Sequence, residues 1–259
     1  MKLKLSSSNR FYTYKVAYDF GTAPNPDFDT CTLAICKPVI RRTAKVGDII
    51  VGLDCLKDQD RIIYCMQVDE VLTWPEYVAR CETDKSLNGK IPKNKNEAGD
   101  CIWVEERFES YEPLPSWSGH GQSEFNSDVL TGKNVLLGKK FWYFGRGDKY
   151  EIRLPKELLN IIPNRGHRSN SNSEYKDAFI AFFNIILDKE KIPLGKNGTP
   201  KNPPQTQPKQ KICSHKNAPL EQIKPKNAPN HEVRSIGRKG LGCKDSHVSD
   251  RLFSNGRSR

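Results

Sequence analysis

Four ionisable side chains lie where they can transfer protons, near the ends of predicted strands or in the loops between them. Asp19 and Asp100 are candidates for a general acid or base, and His120 and His167 are candidates for carrying a proton. A carboxylate beside a nucleobase can also accept a hydrogen bond from an exocyclic amine. These residue types therefore fit either acid–base catalysis or recognition of a base.

A basic group suited to phosphate lies in Gly166-His167-Arg168-Ser169, just before a predicted helix. Backbone N–H groups at a helix start, a guanidinium and an imidazole are all donors that an anion accepts. Lys37, Arg41 and Arg42 form a second basic cluster after a predicted strand. Charged runs are also common on solvated surfaces, so both interpretations stay open for the two clusters.

Recognition of a base needs an aromatic platform and a few polar groups at the base edge. Trp103, Trp142 and Tyr143 are candidates for the platform, although each is also typical of the core of a β-rich domain. Asn25 and Asp48 are candidates for polar contacts, and both residue types also stabilise turns through their own backbone.

The chain has eight cysteines and no apolar leader after its first residues, so we expect reduced thiols in a cytoplasmic protein. Cys31 and Cys36 are five residues apart, which in an extended strand places them on opposite faces and disfavours a shared metal ion. A nucleophilic thiol needs a neighbouring imidazole, which His120 or His167 would supply in the folded chain. A structural role is the favoured interpretation of both cysteines.

The elements that must position these residues are mostly β-strands. Aromatic and β-branched runs predict strands over 11–18, 32–36, 49–52, 61–72, 102–108 and 139–144, and Trp74-Pro75 predicts the start of a short helix. We therefore predict an α+β fold whose β-rich core approaches a mixed barrel.

The end of the domain carries the clearest helical pattern. Its apolar residues follow the spacing i, i+3, i+4, i+7, i+8 and i+11, namely Tyr175, Ala178, Phe179, Phe182, Phe183 and Ile186. Ser171 and Glu174 fit a capping box at its start. The stripe predicts a C-terminal helix that packs on the β-rich core.

Charge and composition divide the chain into residues 1–192 and 193–259. The second part contains 14 Lys and Arg residues against 4 Asp and Glu, a net charge of +10 out of the chain's +11. It also holds 8 of the 17 prolines and a single aromatic residue, Phe253, which predicts a disordered basic tail. Such a tail attracts nucleic acid without reading its sequence, or only aids solubility.

Several side chains in the tail are of the types that bind zinc, namely Cys213, His215, His231, Cys243 and His247. Their spacing departs from the paired C-x-x-C pattern, so we predict no metal centre and no cofactor. No stretch of the sequence has the length of an apolar membrane span, so no membrane partner is expected.

Eight segments of the sequence form an ordered set of motifs: Asp19-Phe20-Gly21-Thr22-Ala23-Pro24-Asn25-Pro26, Cys31-Thr32-Leu33-Ala34-Ile35-Cys36-Lys37-Pro38, Ile40-Arg41-Arg42, Val46-Gly47-Asp48, Tyr64-Cys65-Met66, Gly99-Asp100, Phe141-Trp142-Tyr143-Phe144-Gly145 and Gly166-His167-Arg168-Ser169. Taken together, they resemble the second type of nucleotide modification associated domain, a family of bacteria and their phages. The resemblance covers about 11–190 and none of the basic tail.

The resemblance implies an α+β domain comparable to small PUA-like or ASCH-like nucleic-acid-binding barrels, and a role in handling modified nucleotides or bases. It implies no reaction mechanism. Where the family pattern has Gly-Asp-Asn-Ile-Tyr, this chain has Gly99-Asp100-Cys101-Ile102-Trp103, so an amide is missing at position 101 while an aromatic face is kept.

Two functions are compatible with this sequence. The first is a binding module that captures a modified base or nucleotide in a barrel pocket, favoured by the absence of the common nucleotide-binding and hydrolase signatures. The second is an enzyme of nucleotide or DNA base modification with Asp19 or Asp100 as acid–base residue. The expected partners are a nucleotide or nucleic acid, and DNA-modification enzymes.

Overall fold

The computed structural model describes residues 4–6 and 10–203. Within these residues the β-strands are β1 (Phe11–Lys15), β2 (Cys31–Leu33), β3 (Ile49–Leu53), β4 (Ile62–Gln67), β5 (Glu70–Thr73), β6 (Asn134–Gly138), β7 (Lys140–Tyr143), β8 (His167–Arg168) and β9 (Gly195–Lys196). The α-helices are α1 (Pro38–Thr43), α2 (Trp74–Thr83) and α3 (Lys176–Lys189). Short 3-10 turns and one π-helical turn, Asn126–Thr131, connect them.

The strands form two sheets. The larger has six strands in the order β8-β1-β3-β4-β7-β9, parallel between β1 and β3 and between β7 and β9, and antiparallel elsewhere. The smaller sheet is antiparallel with the order β2-β6-β5. The α+β prediction is confirmed. The barrel is not, because among the described residues the pairing of the larger sheet ends at β8 on one side and at β9 on the other.

Two strand predictions were wrong in their extent. The strand predicted over 61–72 is divided between the two sheets, since β4 belongs to the larger sheet and β5 to the smaller. The segment predicted as a strand over 102–108 buries Ile102 and Trp103 but then turns into a 3-10 helix over Glu105–Arg107. A run of apolar residues signals burial, and it does not show where the chain changes sheet or leaves one.

One face of the larger sheet packs against α3. The buried helix residues are Phe179, Phe183 and Leu187, and the ring of Phe179 stacks on Phe11 of β1 with centroids 4.6 Å apart. The predicted apolar stripe is thus confirmed, and each buried side chain of this size contributes about 1.5–3 kcal/mol. The helix itself begins at Lys176, because a 3-10 turn occupies the preceding six residues.

The other face of the larger sheet packs against the smaller sheet. Tyr14 from the larger sheet and Leu33 and Leu136 from the smaller sheet lie in this second core. The outer face of the smaller sheet is covered by α2 through Trp74 and Tyr77. The described chain therefore forms four layers, with α3 on one side and α2 on the other.

Residues 193–203, which composition assigns to the tail, belong to this layered structure. The strand β9 pairs with β7, the N–H of Asn202 donates to the carbonyl of Asp19 at 2.8 Å, and Nζ of Lys201 lies 2.6 Å from Oδ1 of Asp54. Most of these contacts use backbone groups or single polar atoms, which composition does not reveal. The rest of the tail, with its cysteines and histidines, lies outside the described residues.

None of the helices in this part of the chain has the length and apolar character needed to cross a membrane.

Candidate functional site

Cys36 lies in a turn between β2 and α1 with an unusual backbone. Cys36 and Lys37 both have positive φ angles, 59° and 44°. Sparsely populated conformations of this kind cost roughly 1–3 kcal/mol each and persist where the surroundings fix them. Here the N–H of Cys36 donates to Oδ1 of Asp128 at 2.8 Å, and its carbonyl accepts from Nε of Arg41 at 2.7 Å.

Cys36, His120 and Asp128 form a continuous chain of a thiol, an imidazole and a carboxylate, called here the thiol triad. Sγ of Cys36 is 3.4 Å from Nε2 of His120, and Nδ1 of His120 is 2.6 Å from Oδ2 of Asp128. Asp128 is buried, whereas Cys36 and His120 are half-buried. The end of the chain that carries the sulfur is therefore the end nearer to solvent.

Asp128 lies in the π-helical turn and is held from several sides. Its carboxylate accepts from the backbone of Cys36, from Nε1 of Trp103 at 3.2 Å and from Nη2 of Arg41 at 3.4 Å. Its carbonyl accepts from Nε1 of Trp74 at 2.9 Å. These donors leave the carboxylate little freedom, so the direction of its bond to His120 is fixed. Single π-helical turns occur often at functional sites.

The charges in this cluster favour a protonated imidazole. Burial of the His120 ring opposes its charge, but the hydrogen bonds that the ring donates to Asp128 and Cys36 outweigh burial and raise the pKa of His120 to about 10. Burial lowers the pKa of Arg41 to about 10, partly offset by the charge of Asp128, so the guanidinium stays positive at neutral pH. A positive imidazole beside Sγ stabilises negative charge on the sulfur.

The thiol triad has the arrangement that nucleophilic catalysis requires. In that arrangement a nucleophile contacts an imidazole, and a third group orients the imidazole. The same roles recur on unrelated folds, so the geometry is informative without any similarity of sequence.

The segment predicted to bind phosphate lies at a sheet edge, since His167 and Arg168 form β8 beside β1. Nε of Arg168 donates to Oδ1 of Asn172 at 3.2 Å. The backbone N–H of Asn172 donates in turn to the carbonyl of Ser169 at 2.9 Å. Gly166 has a φ of 62° and open space around its Cα. Arg168 and Ser169 therefore shape the turn, and the ring of His167 lies 6.4 Å from that of Tyr12, centroid to centroid.

Lys37 and His167 lie close together next to the thiol triad. Nζ of Lys37 is 5.0 Å from the ring centroid of Tyr14, and His167 is the pairing partner of Tyr14 in the sheet. Partial burial and the charge of Lys37 together lower the pKa of His167. The structure thus brings together two residues that are far apart in the sequence and that were predicted to contact phosphate.

Two other predicted contacts serve the fold. The guanidinium of Arg41 is buried and bonds backbone carbonyls, including that of Asn134 at 2.9 Å. The carboxylate of Asp48 accepts from the N–H of Arg10 at 3.0 Å and from the N–H of Lys45 at 2.9 Å, which closes the turn before β3.

Asp19 lies in a buried network on the inner face of the larger sheet. Both of its carboxylate oxygens are 2.8 Å from the hydroxyl of Tyr143, and one accepts from the N–H of Lys201 at 3.0 Å. Burial raises the pKa of Asp19, although these donors and the N–H of Gly21 oppose the rise. This network is separate from the thiol triad and joins β7 to the segment after β9.

Asn25 and Asp100 belong to another buried network, around Lys90. Nζ of Lys90 donates to Oδ1 of Asn25 at 2.9 Å and to the carbonyl of Thr30 at 2.8 Å. Asp100 accepts from the hydroxyl of Tyr77 at 2.7 Å. Burial lowers the pKa of Lys90, and the charge of Asp100 opposes this effect. A buried ammonium group is satisfied in this way, which accounts for the polar residues that surround it.

The three candidate aromatic platforms are all buried. Trp103 packs edge-on against Phe125 at 5.1 Å, Trp142 packs edge-on against Phe183 at 5.4 Å, and Tyr143 is closed off by its contact with Asp19. None of these rings presents a face to solvent, where a base would stack.

Sequence analysis missed Asp128 and gave Cys36 a structural role. Asp128 lies in a polar stretch of the sequence without a periodic pattern, and no motif around it indicates a functional residue. Within residues 4–6 and 10–203, no group of three or more His, Cys, Asp or Glu side chains has the arrangement of a metal site.

The fold and the site define a class: an α+β protein with two packed sheets and a thiol–imidazole–carboxylate cluster at the end of a strand. The family profile described as "Nucleotide modification associated domain 2" matches residues 8–203. The chain therefore belongs to this family, and a role associated with nucleotide modification follows from that membership. Neither the curated proteins nor the solved structures contain a match.

Proposed function

We propose that this protein is an enzyme of nucleotide modification in which Cys36 is the nucleophile of an acyl transfer. The observation that carries the proposal is the thiol triad, in which Nε2 of His120 contacts Sγ at 3.4 Å while Nδ1 contacts Asp128 at 2.6 Å. Membership of the family supplies the nucleotide context. The sequence suggested Asp19 or Asp100 as the acid–base residue. In this proposal His120 is the acid–base residue instead.

In the first half of the reaction, Sγ of Cys36 attacks as the thiolate, with the proton held on Nε2 of His120, and a bond forms between the sulfur and the carbonyl carbon of an amide or ester. The electron pair of the carbonyl moves to its oxygen and returns as the bond to the leaving amine or alcohol breaks. His120 gives its proton to that leaving group, and a thioester on Cys36 remains.

In the second half, an acceptor carries the acyl group away. Water, or an amine such as the exocyclic amine of a base, loses a proton to His120 and attacks the thioester carbon. The sulfur–carbon bond then breaks, and the sulfur leaves with the electron pair beside the protonated imidazole. Depending on the acceptor, the cycle removes an acyl group from a nucleotide or adds one to it.

The backbone at Cys36 supports a functional role for this turn. Two consecutive residues with positive φ carry backbone strain of a kind that is common at functional sites, and the chain has one other such pair among its described residues, at Phe28 and Asp29. The hydrogen bonds of the Cys36 backbone with Asp128 and Arg41 offset the free-energy cost of this backbone strain. They also orient the thiol towards His120. The sequence also suggested a binding module. In this proposal, binding of the nucleotide is one step of the catalytic cycle.

The reaction of the full chain with p-nitrophenyl acetate tests this proposal, because this reagent needs no natural substrate. We expect a burst of p-nitrophenol, an acetyl group on Cys36 by peptide mass spectrometry, and loss of both in Cys36→Ala. His120→Gln should slow acetylation and deacetylation by about a hundredfold.

Cys55 provides a matched control, since it is also half-buried but its Sγ donates to the carbonyl of Ala17 at 3.7 Å and, within the described residues, has no imidazole as a hydrogen-bond partner. Cys55→Ala should leave the burst unchanged. Equal acetylation of Cys36 and Cys55, or a burst that His120→Gln does not alter, would overturn the proposal and leave a protein that binds without catalysis.

A further inference from the structure

We propose that a cavity beside Phe28 binds a nucleobase that carries an exocyclic amino group. This inference goes beyond the proposed function, because the lining of the cavity includes none of the three triad residues and its binding needs no thiol chemistry. The cavity has a volume of about 440 Å³, within the roughly 300–1,000 Å³ of small-molecule sites. The base is supplied either by a free nucleotide or by a nucleic acid strand.

Phe28 supplies an aromatic ring at the surface, which the three buried platform candidates do not. The residue is 46% exposed, and Nζ of the buried Lys90 lies over its ring, 5.9 Å from the centroid. Since the ammonium group occupies the inner face of the ring, the outer face is the accessible one. Stacking on such a face is a recurrent contact between proteins and unpaired bases.

The backbone around the cavity keeps the Phe28 ring in position. A Cβ atom at Gly89 would overlap Cζ of Phe28, so the ring lies directly on the backbone of the 3-10 turn Asn88–Lys90. Phe28 and Asp29 both have positive φ angles, 62° and 55°, and such conformations persist where the surroundings fix them. Because the ring is already in place, little side-chain ordering is needed when a base stacks on it.

The rest of the lining suits a planar ring with a polar edge. Ile91 is half-buried and adds apolar surface to that of Phe28. Asp27 and Glu97 belong to the same lining and add carboxylate oxygens. Flat apolar faces combined with a hydrogen-bonding edge are the chemistry of a nucleobase.

The two carboxylates are oriented by the protein and keep capacity to accept further hydrogen bonds. Glu97 accepts from the N–H of Lys93 at 2.9 Å and from Nδ2 of Asn94 at 2.8 Å. Oδ1 of Asp27 accepts from Nζ of Lys196 at 2.6 Å. An ionised carboxylate has about four acceptor positions, so these donors do not exhaust either group.

Carboxylate acceptors select the kind of base. Asp and Glu side chains accept from the exocyclic amine of cytosine, whereas thymine presents a carbonyl oxygen at the same edge. We therefore expect the cavity to prefer bases with an amino group, and cytosine against thymine gives the cleanest comparison because both are pyrimidines.

Charge at the cavity is balanced. The carboxylates of Asp27 and Glu97 are matched by the ammonium groups of Lys196, which pairs with Asp27, and of Lys93, which belongs to the lining. The cavity therefore does not repel the phosphate that a nucleotide or a strand brings with its base.

Binding is best measured in full-length Cys36→Ser, which cannot form a thioester and so separates binding from chemistry. The probes are deoxycytidine and thymidine, followed by calorimetry, and fluorescein-labelled oligo(dC) and oligo(dT), followed by anisotropy. The basic part of the chain after residue 203 attracts both strands without reading their sequence, so the difference between them reports the cavity. Each cytosine probe should bind about tenfold more tightly than its thymine counterpart, the usual effect of one hydrogen bond to a charged group.

In this background, Phe28→Leu keeps an apolar side chain but removes the flat ring, and it should weaken binding of the cytosine probes by about tenfold. Gly89→Ala should act in the same way, because the added Cβ displaces the Phe28 ring. Glu97→Gln removes a charged acceptor and should reduce the preference for cytosine over thymine.

Tyr18→Leu is the matched control for Phe28→Leu. Tyr18 is also an exposed aromatic residue, with its ring stacked on Phe20 at a centroid distance of 6.0 Å, and it is outside the lining of the cavity. This variant should bind like the parent protein. Circular dichroism confirms that each variant is folded.

The outcomes separate the two sources of the base and the two proposals. A loss in Phe28→Leu confined to deoxycytidine assigns the cavity to a free nucleotide, and a loss confined to oligo(dC) assigns it to a strand. If Phe28→Leu and Gly89→Ala match Tyr18→Leu with both cytosine probes, the base site is wrong. Equal binding of the cytosine and thymine probes in both pairs overturns recognition of the amino group. Failure of the thiol chemistry appears only in the p-nitrophenyl acetate reaction, which contains no nucleobase.

Discussion

Cys36 and Asp128 are joined twice, although 92 positions separate them in the sequence. The backbone N–H of Cys36 donates directly to Oδ1 of Asp128 at 2.8 Å, and the thiol reaches Oδ2 through the imidazole of His120. One carboxylate therefore fixes both the backbone of Cys36 and the imidazole ring that contacts its thiol. Removing it should disturb the position and the activation of the thiol together.

Asp128→Asn keeps the shape of the side chain but removes its charge and offers an amide N–H in place of one acceptor. We expect acetylation of Cys36 to slow by about 10²- to 10⁴-fold, because the imidazole loses its orientation and the partner of its positive form. Stopped-flow measurement of the p-nitrophenol burst checks this. Circular dichroism at the assay temperature confirms that the variant is folded, and an unchanged burst in a folded variant would contradict the triad.

The raised pKa of His120 makes part of the stability depend on pH. The pKa rises from an ordinary value of 6.5 to about 10 on folding, so its contribution is fully present below pH 6.5 and is lost as the pH increases through 10. The full contribution is on the order of 5 kcal/mol. Urea unfolding of the wild type and of His120→Gln should show the largest difference in unfolding free energy near pH 6 and a smaller one near pH 10. A difference that stays constant or grows with pH would contradict this assignment.

Arg61 and Arg153 both pair with carboxylates, but only the Arg61 pair is buried. Nη2 of Arg61 lies 2.5 Å from Oδ2 of Asp54, with both side chains almost inaccessible. Arg61→Ala removes one of the cations that pair with the buried Asp54 carboxylate, while Lys201 stays in place, and should cost about 1–3 kcal/mol. Arg153 forms solvent-exposed ion pairs with Asp58 and Asp60. Arg153→Ala should therefore lower the stability far less than Arg61→Ala. Thermal unfolding of both variants gives the comparison, and equal losses would contradict it.

The end of the packed domain can be located with two shortened chains. A chain that stops at residue 203 keeps β9 and the contacts of Lys201 with Asp19 and Asp54, so its melting temperature should match that of the full chain. A chain that stops at residue 192 loses these contacts and exposes both carboxylates, so it should melt several degrees lower. If both chains melt alike, the segment after residue 192 does not stabilise the domain.

Much of the fold was predictable because its signals are local. The apolar stripe around Phe179 and Phe183 gave the helix and its buried face, and the runs around Val51 and Trp142 gave central strands. The boundary after residue 192 was less predictable, since single polar contacts such as that of Lys201 with Asp54 leave no pattern in composition.

The candidate site was only partly predictable, for a physical reason. His120, His167 and Lys37 were singled out by residue type, which limits the chemistry that a side chain can perform. The same criterion selected Asn25 and Asp100, which the fold uses to satisfy a buried ammonium group. Residue type alone does not distinguish these two uses.

The sequence by itself determined the family, the α+β class and the residue types available for chemistry, because each of these depends on composition, spacing and ordered motifs along the chain. Only the tertiary structure decided that Cys36 contacts His120, which is 84 positions away in the sequence, and that Asp128 contacts the other nitrogen of the His120 ring. Contacts between residues so far apart are fixed by how the sheets, α1 and the π-helical turn pack together, and no local pattern records that packing.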